Sequence, residues 1–357
     1  MSPLERAQAF CARFGLRIPI AMAPMAGACP ASLAAAVANA GGLGACGALT
    51  MSPAQIRGWA DELRSTSNGA FQLNLWIPEP QPPVRDAADE AAVRGFLAQW
   101  GPEPPASAGD VRLQDFAAQC EALVEIAPPI VSSIMGLFPQ PVIERLKARG
   151  VSWWANATTV AEARAAAAAG ADVIVAQGME AGGHRGAFDA SRAQIDLVGL
   201  FALVPAITDA VAVPVVASGG IADARGVAAA LTLGASAVQI GTGLLRTPEA
   251  KLNPAWADAL AAAQPEDTTV TRAFSGRAGR SVANAYVRAA GAPDAPAPAP
   301  YPVQRGLTQT MRDAAAAAND AGRMQAWAGQ AARLARAEPA GELVRSLWTE
   351  ARAMLGG

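Results

Sequence analysis

The sequence predicts an α/β chain folded as a TIM-type (β/α)8 barrel with a small inserted lid or second domain. Three observations predict it. Eight short apolar runs, most ending in Gly or a polar residue, are separated mainly by Ala-rich helical stretches. The runs are continuously apolar rather than alternating, the mark of parallel strands buried on both faces. The 357 residues suit one barrel of roughly 250 residues with inserted elements.

In chain order, IPIAMAP (18–24) is the first strand, and SLAAAVANA (32–40) a helix ending at Gly41 and Gly42. GLGACGA (42–48) is the second strand and leads into the helix SPAQIRGWADELR (52–64). FQLNLW (71–76) is the third. PIVSSIM (129–135) and SWWANAT (152–158) are followed by helices at PVIERLKARG (141–150) and VAEARAAAAAG (160–170). DVIVAQG (172–178) and PVVASGG (214–220) are the sixth and seventh strands, the latter followed by the helix DARGVAAALTLG (223–234). AVQIGTG (237–243) completes the eight.

Two stretches exceed the minimal barrel. One is 78–110, whose prolines and charges read as an excursion with a short helix inside. The other is 247–310, with the extended Pro/Ala tract APDAPAPAPYP (292–302). Both follow strand C-terminal ends, where barrel enzymes keep their active sites. The expected division is a barrel with C-terminal helices from 1–77, 127–246 and 311–357, and a lid from 78–126 and 247–310, its two pieces meeting over the barrel mouth.

Composition excludes several classes. Hydrophobic residues make up 52% and charged residues 16%, enough to bury a large core. A net charge of −2 gives no basic field for nucleic acid or an anionic membrane. No apolar run spans a bilayer, and MSPLERAQAFCARFG lacks a signal-peptide core, so a cytoplasmic protein, monomer or homodimer, is expected. Cys11, Cys29, Cys46 and Cys120 lie far apart with no CxxC; with one histidine in the chain, no metal site is expected.

The chemistry gathers at strand ends. SGGIADARG (218–226), opening at Ser218, and GTG (241–243) follow strands seven and eight, the usual phosphate site of barrels. Gly219, Gly220, Gly241 and Thr242 are therefore candidates to hold a cofactor phosphate through backbone N–H groups and a helix start; tight turns alone would also use these glycines. No GxGxxG supports Rossmann-type dinucleotide binding. QGMEAGGHRG (177–186) ends strand six. Gln177 is a hydrogen-bonding side chain at the mouth, Gly182 and Gly183 turn the backbone beside a ligand, and His184 sits on a loop at the active face. Imidazole there takes or gives a proton, or binds an anion when charged. Ser191 and Ser218 are serines near it, but the chain has no GxSxG. In AMAPMAGAC (21–29), Met22 to Met25 suit the face of a flat ring, although Met and Pro also simply pack a barrel mouth. Asn74 is polar where apolar residues are expected, which suits a ligand contact or a turn cap.

Together PIAMAPMAG, LAAAVANAGGLG, QLN, QGMEAGGHRG, VPVVASGGIADARGVAAALTLGASAVQIGT, YPVQ (301–304) and WAGQ resemble the nitronate monooxygenase family, near its class I pattern, over most of the chain. The resemblance implies FMN. Ala23, Pro24 and Met25 would meet its ring, and Asn74 and Gln177 would hydrogen-bond it. Gly182, Gly219, Gly220, Gly241 and Thr242 would line its phosphate and ribityl path. Gly329 and Gln330 would close the site from the tail. His184 would approach the substrate as base or anion partner. The implied reaction oxidises alkyl nitronates such as propionate 3-nitronate with O2 to carbonyl compounds and nitrite, without a pyridine nucleotide. Two departures touch the substrate: SSIMGLFPQ (132–140) lacks the family's frequent aromatic segment, and Tyr286 and Tyr301 are the only tyrosines. The alternatives are a flavin-dependent enoyl-acyl-carrier-protein reductase using NAD(P)H, which shares AGGH and SGGI-like motifs, a non-catalytic flavin-binding barrel, and a flavin-free phosphate-binding lyase or isomerase.

Overall fold

The computed structural model describes all residues, 1–357. Its strands are β1 (Ile20–Met22), β2 (Gly44–Gly47), β3 (Phe71–Trp76), β4 (Ile130–Ile134), β5 (Ser152–Ala157), β6 (Val173–Gln177), β7 (Gly183–His184), β8 (Val215–Ser218), β9 (Ala237–Ile240), β10 (Thr268–Thr271) and β11 (Gly279–Val282). Eight of them form one parallel sheet in the order β1-β9-β8-β6-β5-β4-β3-β2. A parallel bridge between Ala21 and Leu43 brings its two edges together, with Met22 N–H donating to Leu43 O at 2.8 Å. The fold is a TIM-type barrel, and its eight strands are the eight apolar runs.

Strand alternation explains the interior. Outward residues such as Leu73, Val131, Trp153, Ile174 and Val238 join the main core beneath the helices. Inward residues at the N-terminal end form a second, dry layer of Leu43, Ile130, Trp154, Val173 and Val216. The helix Pro3–Phe14 plugs that end, with Phe10 and Phe14 packed on Trp154 at 5.5 and 5.2 Å. Ser2 starts it with a capping box to Glu5, and Gly15 ends it in the left-handed region at φ 67°. Further along the strands the inward positions turn polar: Asn74, Ser132, Asn156, Gln177 and Ser218. The barrel is therefore closed at one end and lined for a polar ligand at the other.

The helices expected after strands one, two, four, five and seven are present at Ala31–Ala40, Pro53–Thr66, Gln140–Ala148, Val160–Ala168 and Ala224–Thr232. The helix between β6 and β8, Leu200–Thr208, was hidden by Pro205 in its interior, which reads as a helix breaker. Phe116–Ile126, placed with the lid by the sequence, packs on the barrel instead: Cys120, Leu123 and Val124 belong to the main core. The excursions share a smaller core in which Val93 and Leu97 pack with Phe274, Tyr286, Val303 and Leu307. His184 was expected on a loop. It lies on β7, which pairs antiparallel with β11, His184 opposite Gly279, in a sheet ordered β10-β11-β7. No helix is long and apolar enough to cross a membrane.

Candidate active site

A cavity of about 410 Å³ opens at the C-terminal end of the barrel. Its size is ordinary for a cofactor-plus-substrate site. Ala23, Pro24 and Met25 line it from the end of β1, Asn74 from β3, and Gln177, Gly182, Gly183 and His184 from β6 and β7. Ser218, Gly219 and Gly220 line it after β8, Gly241 and Thr242 after β9, and Gly329 from the tail. Gln330 is not brought to the wall. Its backbone N–H donates to Glu180 O at 2.9 Å and ties the tail to the β6–β7 loop.

One side of the cavity is a cradle of backbone donors. Gly219 and Gly220 have φ of 115° and 67°, a conformation that side-chain-bearing residues rarely adopt. The N–H groups of Gly219, Gly220 and Gly241 donate to nothing in the protein. Backbone donors left free at a cavity wall are able to bind an anion. The following helix contributes less than the sequence suggested, because the Asp223 carboxylate caps it by accepting from Gly226 N at 3.0 Å. Gly182 is needed for close approach: a Cβ there would lie 2.5 Å from Gly329 N and 2.8 Å from Thr242 Oγ1. Thr242 Oγ1 accepts from Gly329 N–H at 3.0 Å, so barrel and tail are sewn together beside the cradle.

The barrel's polar layer forms the floor. Asn74 donates to Ser132 Oγ at 3.0 Å, which leaves its own carbonyl free. Gln177 holds the loop: Oε1 accepts from Gly186 N at 2.7 Å and Nε2 donates to His184 O at 3.2 Å. Asn156 Nδ2 is a buried donor with no partner. An orphaned amide on a cavity wall fits a ligand that accepts a hydrogen bond there.

His184 occupies the other side. Its ring lies between Trp76 at 4.7 Å and Trp327 at 4.8 Å, and Tyr301 packs behind Trp76 at 5.1 Å. Nε2 is 2.7 Å from Ser275 Oγ. Burial, then the charges of Arg305 and Arg312, push the imidazole down to about 3, so it is neutral at pH 7. Of the two roles expected of His184, anion binding by a charged ring is therefore disfavoured. The positive charge comes from Arg305 and Arg312, which line the cavity in the absence of any carboxylate. Neither forms an ion pair. Arg312 is held by Gln325 Oε1 at 2.7 Å, Gln309 Oε1 at 2.6 Å and Arg305 O at 2.9 Å. Burial lowers its guanidinium to about 10, which leaves it charged at neutral pH. Met135, at φ 67°, is a non-glycine residue in the left-handed region that also lines the cavity.

Sequence reading missed Trp76, Asn156, Ser275, Arg305, Arg312 and Trp327. Asn156 had the same signal as Asn74, a polar residue inside an apolar strand. The others come from the excursions and tail or, for Trp76, from a residue that passes as core, and only the tertiary fold brings them to the mouth.

Comparison with known proteins gives a consistent result. The family model described as nitronate monooxygenase matches residues 8–350. A nitronate monooxygenase of Paraburkholderia phytofirmans is 41% identical over 94% of this chain and 93% of its own length. Among solved structures, nitroalkane oxidase from Streptomyces ansochromogenes superposes with a TM-score of 0.86 at 38% identity, covering 96% of this chain and 99% of that one. FabK from Thermotoga maritima superposes with a TM-score of 0.75 at 27% identity, covering 98% and 97%.

Proposed function

Since the chain belongs to the nitronate monooxygenase family, we propose that it is an FMN-dependent monooxygenase that oxidises alkyl nitronates with O2 to carbonyl compounds and nitrite. The observation that carries this reading is the division of the cavity. Free backbone donors at Gly219, Gly220 and Gly241 face one side, and neutral His184 with two unpaired arginines the other.

FMN, when bound, supplies the redox chemistry between nitronate and oxygen. Gly219, Gly220, Gly241 and Thr242 hold its phosphate, with Ser218, Gly182 and Gly183 along the chain that leads to the ring. Ala23, Pro24 and Met25 back the ring, and Asn74, Asn156 and Gln177 meet its polar edge. Gly329 closes the tail side. His184, as a neutral ring, would accept the α-proton of a neutral nitroalkane and so form the nitronate in the site, whereas a nitronate that arrives already ionised has no proton to give and is met by Arg305 and Arg312. Arg305 and Arg312 draw the anionic nitronate into the cavity and favour one that carries a second negative group, as propionate 3-nitronate does. The smaller core shared by the two excursions acts as the lid that keeps water from the site.

The reductase reading has less support, since the FabK likeness rests on 27% identity against 38% and 41% for the nitro-compound enzymes. The test is oxygen uptake and nitrite release with a nitronate and with its neutral nitroalkane, in wild type and His184→Asn. Wild-type turnover of the nitronate, with strong loss on the nitroalkane in a variant that stays yellow, supports the assignment. Equal turnover of the nitroalkane by both proteins removes His184 from it, and no turnover with any nitronate removes the activity itself.

A further inference from the structure

Ser275 is the one hydrogen-bond partner of the His184 ring, and its other contacts limit what that bond is. Ser275 is buried, 1% exposed. Its hydroxyl has one proton to give and two lone pairs to offer. Arg277 O, 3.1 Å away, is an acceptor only. Arg277 N–H, 3.3 Å away, is a donor only. Both contacts are met when the hydroxyl gives its proton to Arg277 O and accepts from Arg277 N–H. One lone pair then remains for His184 Nε2 at 2.7 Å, and that bond requires the proton to be on Nε2. If Ser275 gave its proton to Nε2 instead, the carbonyl of Arg277 would lose its donor inside the protein, at a cost of about 1–3 kcal/mol.

The seat of Ser275 is itself fixed. Gly276 N–H donates to Arg272 O and Arg272 Nε to Gly276 O, both at 2.8 Å. The buried Arg277 guanidinium pairs with Glu79, donates to Ala187 O at 2.7 Å and lies 5.7 Å from the Trp76 ring centre. Trp76 and Trp327 flank the imidazole, tilted 53° and 57° to it, and the bond to Ser275 fixes which way the ring is turned between them. Nδ1 is the nitrogen left without a partner in the protein, on a side chain that lines the cavity.

We propose that Ser275 is a positioning residue that locks His184 as the Nε2–H tautomer, leaving the Nδ1 lone pair as the base for the α-proton of a neutral nitroalkane. The proposal rests on the reading of His184 as a proton or hydrogen-bond acceptor. It also makes the segment Ser275–Arg277 part of the catalytic apparatus through one hydroxyl, with Glu79 as its outer anchor.

One histidine in the chain makes the test direct. In holoenzyme labelled with 15N-histidine there is a single imidazole to observe. The expected spectrum at neutral pH shows a protonated, pyrrole-type Nε2 with an exchange-protected proton, and an unprotonated, pyridine-type Nδ1. Ser275→Ala is expected to lose the protected proton and to lower kcat on a neutral nitroalkane roughly 2- to 10-fold, the worth of one such hydrogen bond. Ser275→Thr, which keeps the hydroxyl, should restore both. A wild-type spectrum with the proton on Nδ1 overturns the proposal, and so does a Ser275→Ala spectrum with the protected Nε2 proton unchanged. The wild-type spectrum is read without turnover and decides even where the alanine variant does not fold. A failure of the nitronate assignment, seen in oxygen uptake, is a separate result.

Discussion

His184 should make the protein lose stability as pH falls, earlier and more steeply than its carboxylates alone require. The perturbation is His184→Asn, which removes the titrating ring. In the folded protein burial and the two nearby arginines lower the imidazole from 6.5 to about 3. In the unfolded chain it takes up a proton near pH 6.5. Between those values the unfolded state binds more protons, so stability is fully present above pH 6.5 and drains away as pH drops. At about 1.4 kcal/mol for each pH step, the loss is roughly 2 kcal/mol between pH 6.5 and 5, and about 4–5 kcal/mol by pH 3. The assay is urea unfolding of FMN-saturated wild type and His184→Asn at pH 7 and pH 5. Wild type should lose about 2 kcal/mol more than the variant over that interval. Equal losses would show that the ring is charged, or free to charge, in the native state, and would refute the neutral imidazole.

Other consequences follow from the same cavity. Arg305→Met or Arg312→Met should raise KM for a nitronate bearing a carboxylate about 10- to 100-fold, in line with roughly 1.5–3 kcal/mol for a charge-assisted hydrogen bond. KM for an uncharged-tail nitronate should move less, and steady-state kinetics on the two substrates decides it. Gly182→Ala cannot fit without parting the tail from the barrel, since its Cβ would sit 2.5 Å from Gly329 N. It should weaken FMN retention at least tenfold, about 1.4 kcal/mol, read by fluorescence of flavin released on dilution.

The barrel was legible because its signals are local. Eight continuously apolar runs name their own strands, and Gly41 or a Ser52 cap marks helix ends within a few residues. The glycine turns at the mouth were legible for a related reason, as Gly219 and Gly220 take backbone shapes that the sequence advertises. Leu200–Thr208 was obscured by Pro205, whose cost tertiary packing of Leu203, Val204 and Ile207 overrides. Phe116–Ile126 was lost in the lid because its length and polarity resemble the excursion before it, while its buried face is visible only against the barrel. The substrate side was least legible. Ser275, Arg305, Arg312 and Trp327 lie 91 or more residues beyond His184, and nothing in their local sequence says that they meet it. The sequence pointed to His184 at the mouth but not to its charge state, because neutrality comes from burial and from arginines brought there by folding.

The most direct test of the central claim is the absorbance spectrum of purified protein, followed anaerobically in one cuvette through addition of a nitronate and, in a second, of NADPH. The account predicts a yellow protein whose flavin absorbance is changed by the nitronate and left unaltered by NADPH. Rapid bleaching by NADPH with indifference to nitronate would contradict it in favour of a reductase, and a colourless protein that takes up no FMN would contradict the flavin site itself.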